Sequence, residues 1–361
     1  GERYTIGEAL AQAKADILNS KKNYTKNDTI NKVHFILLGD PAITLAGQTY
    51  KVKIDKLNGK DIDSSNPPTI SAGEIVTVEG HIVNTEGNPA TDFNGTISPT
   101  VYDSEEHIVC KNNAGEDVSP FEYNDHTRTL YAGTDSVSAG TFKFTFPVPL
   151  DINYSDEAGL ITLYAINEAK TIEANGRFED FLVGGTSDEE RTDTIGPDIK
   201  AYLNDSHFAD GGITNETPTL YISLYDESGI NTSGSGLGHD IVAIIDGNES
   251  TTYTLNSYYN QSVGDYRSGN ITYTFPTLPA GTHTLTIRAF DTLNNMGETA
   301  IHFQVVEGME EEVEIFDMAG RLLLSKDQGA SLPKGIYVRR IRLTSPTGTV
   351  STRSEKFIVT Q

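Results

Sequence analysis

Apolar and polar residues alternate with a period of two along most of this chain. In Thr141-Phe142-Lys143-Phe144-Thr145-Phe146 three phenylalanines share one face and Lys143 and Thr145 the other, the pattern of a half-buried strand. Similar segments at 48–54, 74–83, 95–102 and 160–166 are separated by Gly, Asn, Asp and Pro. Residues 48–190 therefore predict one β-sandwich, and the polar stretch 186–194 a linker. Seven short segments follow, at 199–203, 219–225, 240–245, 250–255, 270–275, 283–290 and 299–306. They predict an Ig-like sandwich over 195–306. Asp246-Gly247 and Asn294-Asn295 supply turn chemistry there. Residues 307–361 predict a small C-terminal β-sandwich with strands at 313–316, 322–325, 335–343 and 351–359.

The first 47 residues break this rhythm. Ile6, Leu10, Ala13 and Ile17 recur at helical spacing, and Thr5 with Glu8 three residues on reads as a capping box. The spacing predicts a helix over 6–18. Val33-His34-Phe35-Ile36-Leu37-Leu38 is a near-continuous apolar run, as for a strand buried on both faces of an α/β sheet. Pro41 in Gly39-Asp40-Pro41-Ala42 stops it. So short a segment cannot cover both faces of such a strand. It reads as the end of an α/β domain. No signal-peptide pattern opens the chain, and Gly1 reads as an artificial start.

Composition narrows the function classes. The chain has 361 residues, 51 acidic against 27 basic side chains and a formal net charge of −24. That excess of acid argues against nucleic-acid binding, which needs clustered Lys and Arg. One cysteine excludes a disulfide framework and a cysteine-based zinc site. No apolar run approaches the length of a membrane helix. The charge is uneven. Glutamates at 307, 310, 311, 312 and 314 precede a stretch, 317–361, with eight basic and three acidic side chains.

Two separated pieces carry a family resemblance. Gly7-Glu8-Ala9-Leu10, then Phe35-Ile36-Leu37-Leu38-Gly39-Asp40-Pro41-Ala42, resembles the closing helix and strand of the gingipain-like (C25) cysteine peptidase domain. Val313-Glu314-Ile315-Phe316-Asp317-Met318-Ala319-Gly320-Arg321, with Leu332-Pro333-Lys334-Gly335-Ile336-Tyr337-Val338 and Lys356-Phe357-Ile358-Val359, is similar to the C-terminal sorting domain of the Bacteroidetes type IX secretion system. The middle of the chain, with Gly211–Pro218 and Ser228-Gly229-Ile230-Asn231, is similar to the post-catalytic region of that system's sortases. The resemblance implies a surface cysteine peptidase that removes C-terminal signals from cargo and transfers the cargo to a lipopolysaccharide-type anchor. It implies an outer-membrane β-barrel partner, the secretion machinery and an upstream catalytic domain. The family's catalytic His and Cys lie upstream of the GDPA-like strand, so no catalytic residue carries over.

The residues themselves offer weaker alternatives. Cys110 has His107 three positions earlier and His126 beyond. Positions three apart on a strand face opposite ways, which argues against a nucleophile–base pair. Calcium is the one cofactor left open. Asp61 and Asp63 alternate in one loop, and Asp226 and Asp291 fall at one end of the second sandwich. Turn capping explains the same residues. Ser233-Gly234-Ser235-Gly236-Leu237-Gly238 lacks a Walker lysine and a following helix. Glu105-Glu106, a formal carboxylate pair, are neighbours on one strand and face opposite ways.

The reading is a non-catalytic C-terminal portion of a surface peptidase, placed on the outer face of a bacterial outer membrane. It supports the catalytic domain and mediates surface assembly, with Arg339, Arg340 and Arg342 as partner contacts. The competing reading is an adhesin or carbohydrate-binding module, with Tyr258 and Tyr259 available to stack on sugars.

Overall fold

The computed structural model describes residues 4–20, 34–43, 50–111, 115, 119–188, 191–204, 206, 208–233, 238–325, 332–344, 346, 348 and 350–359. Strands dominate, and no helix among these residues is long and apolar enough to cross a membrane.

The helix, α1, spans Ile6–Ser20. Its capping box forms as expected. Glu8 N–H donates to the Thr5 hydroxyl at 3.2 Å, and Thr5 N–H donates to the Glu8 carboxylate at 2.8 Å. Residues 35–38 correct the expectation of a buried strand. They form no strand and lie largely bare, with Phe35 67%, Ile36 71% and Leu38 89% exposed. A strand needs a partner for its N–H and C=O groups, and none of the described strands pairs with this segment. Val33 lies outside the described residues. The segment docks on α1 instead. Ile6 N–H donates to the Ile43 carbonyl at 2.8 Å and Gly7 N–H to the Pro41 carbonyl at 3.1 Å. A side chain at Gly7 would run into Pro41.

The main sheet of the first β unit has nine strands among the described residues, and seven of them make its ring: β1 (Tyr50–Leu57), β2 (Ile75–Val83), β3 (Gly95–Tyr102), β4 (Asp135–Ser138), β5 (Thr141–Pro147), β6 (Leu160–Asn167) and β7 (Glu173–Phe178). They pair in the order β6-β7-β1-β2-β5-β4-β3, and β3 returns to pair with β6 from Tyr102↔Leu160 to Gly95↔Asn167. The two faces of the expected sandwich are thus joined into a closed ring, although the β7–β1 and β5–β4 junctions pair over only two residues each. Phe142, Phe144 and Phe146 all point inward, at most 5% exposed, with centroids 6.2 and 6.1 Å apart. A three-stranded sheet (Glu157–Ala158, Leu182–Thr186, Thr69–Ala72) adds Ile70, Ala72, Phe181 and Val183 to the same core. A hairpin of Glu106–Val109 and Glu122–Asp125 stands apart.

The second unit is a two-sheet sandwich. One sheet orders β8 (Asp198–Leu203), β10 (Thr219–Tyr225), β14 (Asp265–Thr274) and β13 (Tyr259–Ser262). The other orders β9 (Gly212–Thr214), β16 (Met296–Val305), β15 (Gly281–Phe290), β11 (Val242–Ile245) and β12 (Thr252–Thr254). Leu220, Ile222, Leu285, Ile287, Phe275 and Phe303 fill the space between. The stretch read as one strand over 250–255 begins as a short 3-10 turn at Glu249–Thr251, capped by Asn248.

The two units are bonded to each other. Leu150 N–H donates to the Thr292 carbonyl at 3.0 Å, and Gly264 N–H to that of Thr134 at 2.9 Å. Asp151 accepts from Asn294 Nδ2 at 3.1 Å and pairs with His239 Nδ1.

The last unit is one antiparallel sheet among the described residues. Its order is β18 (Leu322–Ser325), β17 (Glu310–Asp317), β19 (Gly335–Thr344) and β20 (Val350–Val359). Tyr337, Ile341 and Leu343 are buried. The glutamate run is part of this sheet, since β17 begins at Glu310.

Candidate cation centre and partner surface

Three carboxylates converge at the end of the second sandwich that faces the first. Asp226 follows β10, Asp291 follows β15, and Asp193 comes from the stretch read as a linker. One oxygen of each lies within 4.8 Å of the others. Local turn chemistry sets two of them. Asp226 Oδ1 accepts from Ser228 N at 2.7 Å. Asp291 Oδ1 accepts from Leu293 N at 3.0 Å and Asn295 N at 2.7 Å, while Asn295 Nδ2 donates to its Oδ2 at 2.8 Å. Asp193 is drawn in by Ser228, whose hydroxyl donates to it at 2.6 Å, and by Asn295, whose side chain donates to its carbonyl at 3.1 Å.

Burial governs the charge states. Asp226 is 6% and Asp291 0% exposed. Loss of solvent, with the Asp291 and Asp193 charges adding to it, pushes the Asp226 carboxyl up to about 7. Burial also raises Asp291, against the opposing bonds from Asn295. The Ser228 hydroxyl instead holds Asp193 below the usual range. Such oxygens suit a hard cation. As bonded, the trio also accommodates a proton on Asp226 near neutral pH.

The other calcium candidates stay apart. Asp61 faces Lys56 at 3.8 Å. Asp63 caps its own loop, accepting from Ser65 N at 2.9 Å and Ser65 Oγ at 2.6 Å. Sequence alone places Asp226 and Asp291 near one another but gives no signal for Asp193.

Among the described residues, both histidines near Cys110 in sequence are bonded elsewhere. His107 bonds Asn124 at 3.0 Å and Glu122 at 3.3 Å, and His126 bonds the Asp103 carbonyl at 2.7 Å. Glu105 accepts from Asn124, whereas Glu106 accepts from Thr127 and pairs with Arg128. Residues 234–237 of the glycine-rich loop lie outside the described residues. Tyr258 meets Tyr273 edge-on at 4.9 Å, and the Tyr259 hydroxyl is buried without a partner. That is not a flat sugar-stacking platform.

The arginine triplet divides. Arg340 and Arg342 share one face of β19, and Arg339 takes the other. Arg340 pairs with Glu314 at 2.6 Å, and Arg342 stands opposite Glu312 in the register.

No family model and no curated protein matches this chain. Among solved structures, the dimeric latent PorU of Porphyromonas gingivalis matches 98% of this chain at 30% identity, with a TM-score of 0.46. Along nearly its whole length this chain is similar to PorU. It spans 38% of PorU's length. A tetra-tandem repeat of a large adhesion protein matches 88% of this chain and 76% of its own at 13% identity, with a TM-score of 0.19. A 1.5-MDa bacterial ice-binding adhesin matches 86% of this chain and 98% of its own at 10% identity and the same TM-score.

Proposed function

We propose that this chain is the non-catalytic C-terminal part of a gingipain-like surface cysteine peptidase, of the type IX secretion sortase kind. In that role α1 and residues 34–43 form the underside of an α/β catalytic domain. The two linked β units hold that domain off the cell surface. The terminal sheet engages the secretion machinery and an outer-membrane β-barrel partner, where β20, an edge strand among the described residues, suits strand addition.

One observation carries the reading. The two sequence pieces that resemble the peptidase family, one around Gly7 and one around Pro41, are hydrogen-bonded to each other. Together they present Phe35, Ile36 and Leu38 bare. An apolar group of this size is what a covering domain buries.

The test replaces Phe35, Ile36 and Leu38 with serine in the longer protein. Limited proteolysis should then release the catalytic domain faster, while the melting of this chain alone stays unchanged. Equal proteolysis of the two forms would refute the supporting role. Removing residues 307–361 from the longer protein tests the assembly role, with loss of surface display as the expected result.

A further inference from the structure

A groove of about 520 Å³ crosses the outer side of β1, β2, β5 and β4 in the first unit. A β-bulge shapes it. The β1–β2 register runs Ile54↔Gly80 and then Lys56↔Glu79, so Asp55 is an extra residue. The bulge turns two consecutive side chains, Asp55 and Lys56, toward the same groove. Gly80 lies at the bulge, where a side chain would collide with the Lys53 carbonyl and the Phe142 ring. A bulge bends its strand and adds local twist, so the sheet is distorted where the groove lies.

The lining narrows what the groove can take. Asp55 and Glu79 face Lys56 and Lys143, so the formal charges balance. Three of them already hold one bond each, and a carboxylate or an ammonium group has capacity for more. Lys143 Nζ sits 3.1 Å from Glu79 Oε1, and Asp55 Oδ2 lies 2.7 Å from His81 Nδ1. A balanced set has little field for a phosphate or a polyanion. So many charges do not suit an apolar ligand. Strand addition by a peptide runs along a backbone edge in the plane of the sheet, whereas this groove lies across the sheet's outer face. What remains is an uncharged ligand with many hydroxyls. Carboxylate oxygens accept from such hydroxyls, and ammonium groups and the hydroxyls of Ser136 and Ser138 donate to them.

We propose that this groove binds a saccharide, with Asp55 and Glu79 as acceptors and Lys56 and Lys143 as donors. The site does not depend on the peptidase reading. An unrelated adhesin with this unit would carry it equally.

The test presents the labelled chain to a printed array of bacterial O-antigen, mannan and host N-linked glycans. The best hit is then titrated as a soluble oligosaccharide by calorimetry. Neutral glycans should bind with micromolar to millimolar affinity. Glu79→Gln with Lys143→Met should weaken binding by at least about tenfold, without a change in melting temperature. Ser138→Trp, at an exposed position, should block the groove even where the double variant folds poorly. An array with no neutral hit overturns the proposal. So does binding confined to sulfated or phosphorylated glycans, or an affinity that Ser138→Trp leaves unchanged.

Discussion

Arg340 and Glu314 stand directly opposite each other on β19 and β17, with Arg340 Nε 2.7 Å from Glu314 Oε2. The guanidinium also lies 4.7 Å from the centre of the Phe316 ring. One residue thus joins an acidic strand to a basic one and covers an aromatic ring. The basic excess counted over 317–361 vanishes once the strand boundary moves back. Residues 307–361 hold eight acidic and eight basic side chains. Partner binding through Arg340 would have to displace a bond it already makes.

Arg340→Ala should destabilise the terminal sheet by about 1 kcal/mol, the scale of a partly exposed charge-assisted pair. Amide exchange should speed up in β17 and β19 and stay constant in the two larger cores. Arg340→Lys keeps the charge but loses the planar contact with Phe316, so it should recover part of the loss. Uniform exchange changes across all three units would count against this local role.

How much of this was legible beforehand depended on the range of the interactions. The inward row of Phe142, Phe144 and Phe146 follows from period two alone, and the Thr5–Glu8 box from spacing alone. Ring closure through β3 and β6 did not follow, because pairing across some 60 positions leaves no local mark. Asp193 falls in the stretch whose composition marks a linker, for the same reason. It joins Asp226 and Asp291 through Ser228 and Asn295, two groups distant in sequence. The apolar run around Phe35 signalled a strand, but a strand exists only with a partner to pair with.

Asp226 should make stability fall as pH rises. Its carboxyl is raised in the folded state from the ordinary 3.8 to about 7, chiefly by burial. Below about pH 4 both folded and unfolded states are protonated. Between about 4 and 7 the unfolded chain releases the proton while the folded one keeps it, so the folded state loses ground. Asp226→Asn retains an acceptor for Ser228 N–H and cannot ionise. It should flatten that part of the curve and stabilise the protein at about pH 8 by on the order of 2 kcal/mol. Denaturant melts across the range check both. A variant whose pH slope matches the parent would show that Asp226 ionises normally.

Asp151→Ala should loosen the two large units from each other. It removes the partner of both His239 and Asn294 at the junction. The expected cost is about 1–2 kcal/mol, for two hydrogen bonds to a carboxylate. Cleavage between 186 and 194 should accelerate, and a single melting transition should begin to split. An unchanged digestion pattern would mean that the backbone bonds of Leu150 and Gly264 suffice.

Tyr259→Phe should stabilise the protein, against the usual direction for a buried residue. The Tyr259 hydroxyl is buried at the junction and has no hydrogen-bond partner. Burial and the neighbouring Tyr131 keep it protonated through the whole accessible range. The ring itself closes over Gly269, where a side chain would strike it, so the aromatic body must stay. Removing only the oxygen deletes an unpaired polar atom and keeps the packing, a gain of about 1 kcal/mol. Tyr131→Phe differs, because the Tyr131 hydroxyl bonds Gln261 across the same junction, and its loss should destabilise by a similar amount. Opposite signs for these two substitutions, read from denaturant midpoints at constant slope, would tie both effects to hydrogen bonding. Equal losses would mean that the Tyr259 hydroxyl is satisfied in solution, most simply by a water in the cavity of about 10 Å³ beside it.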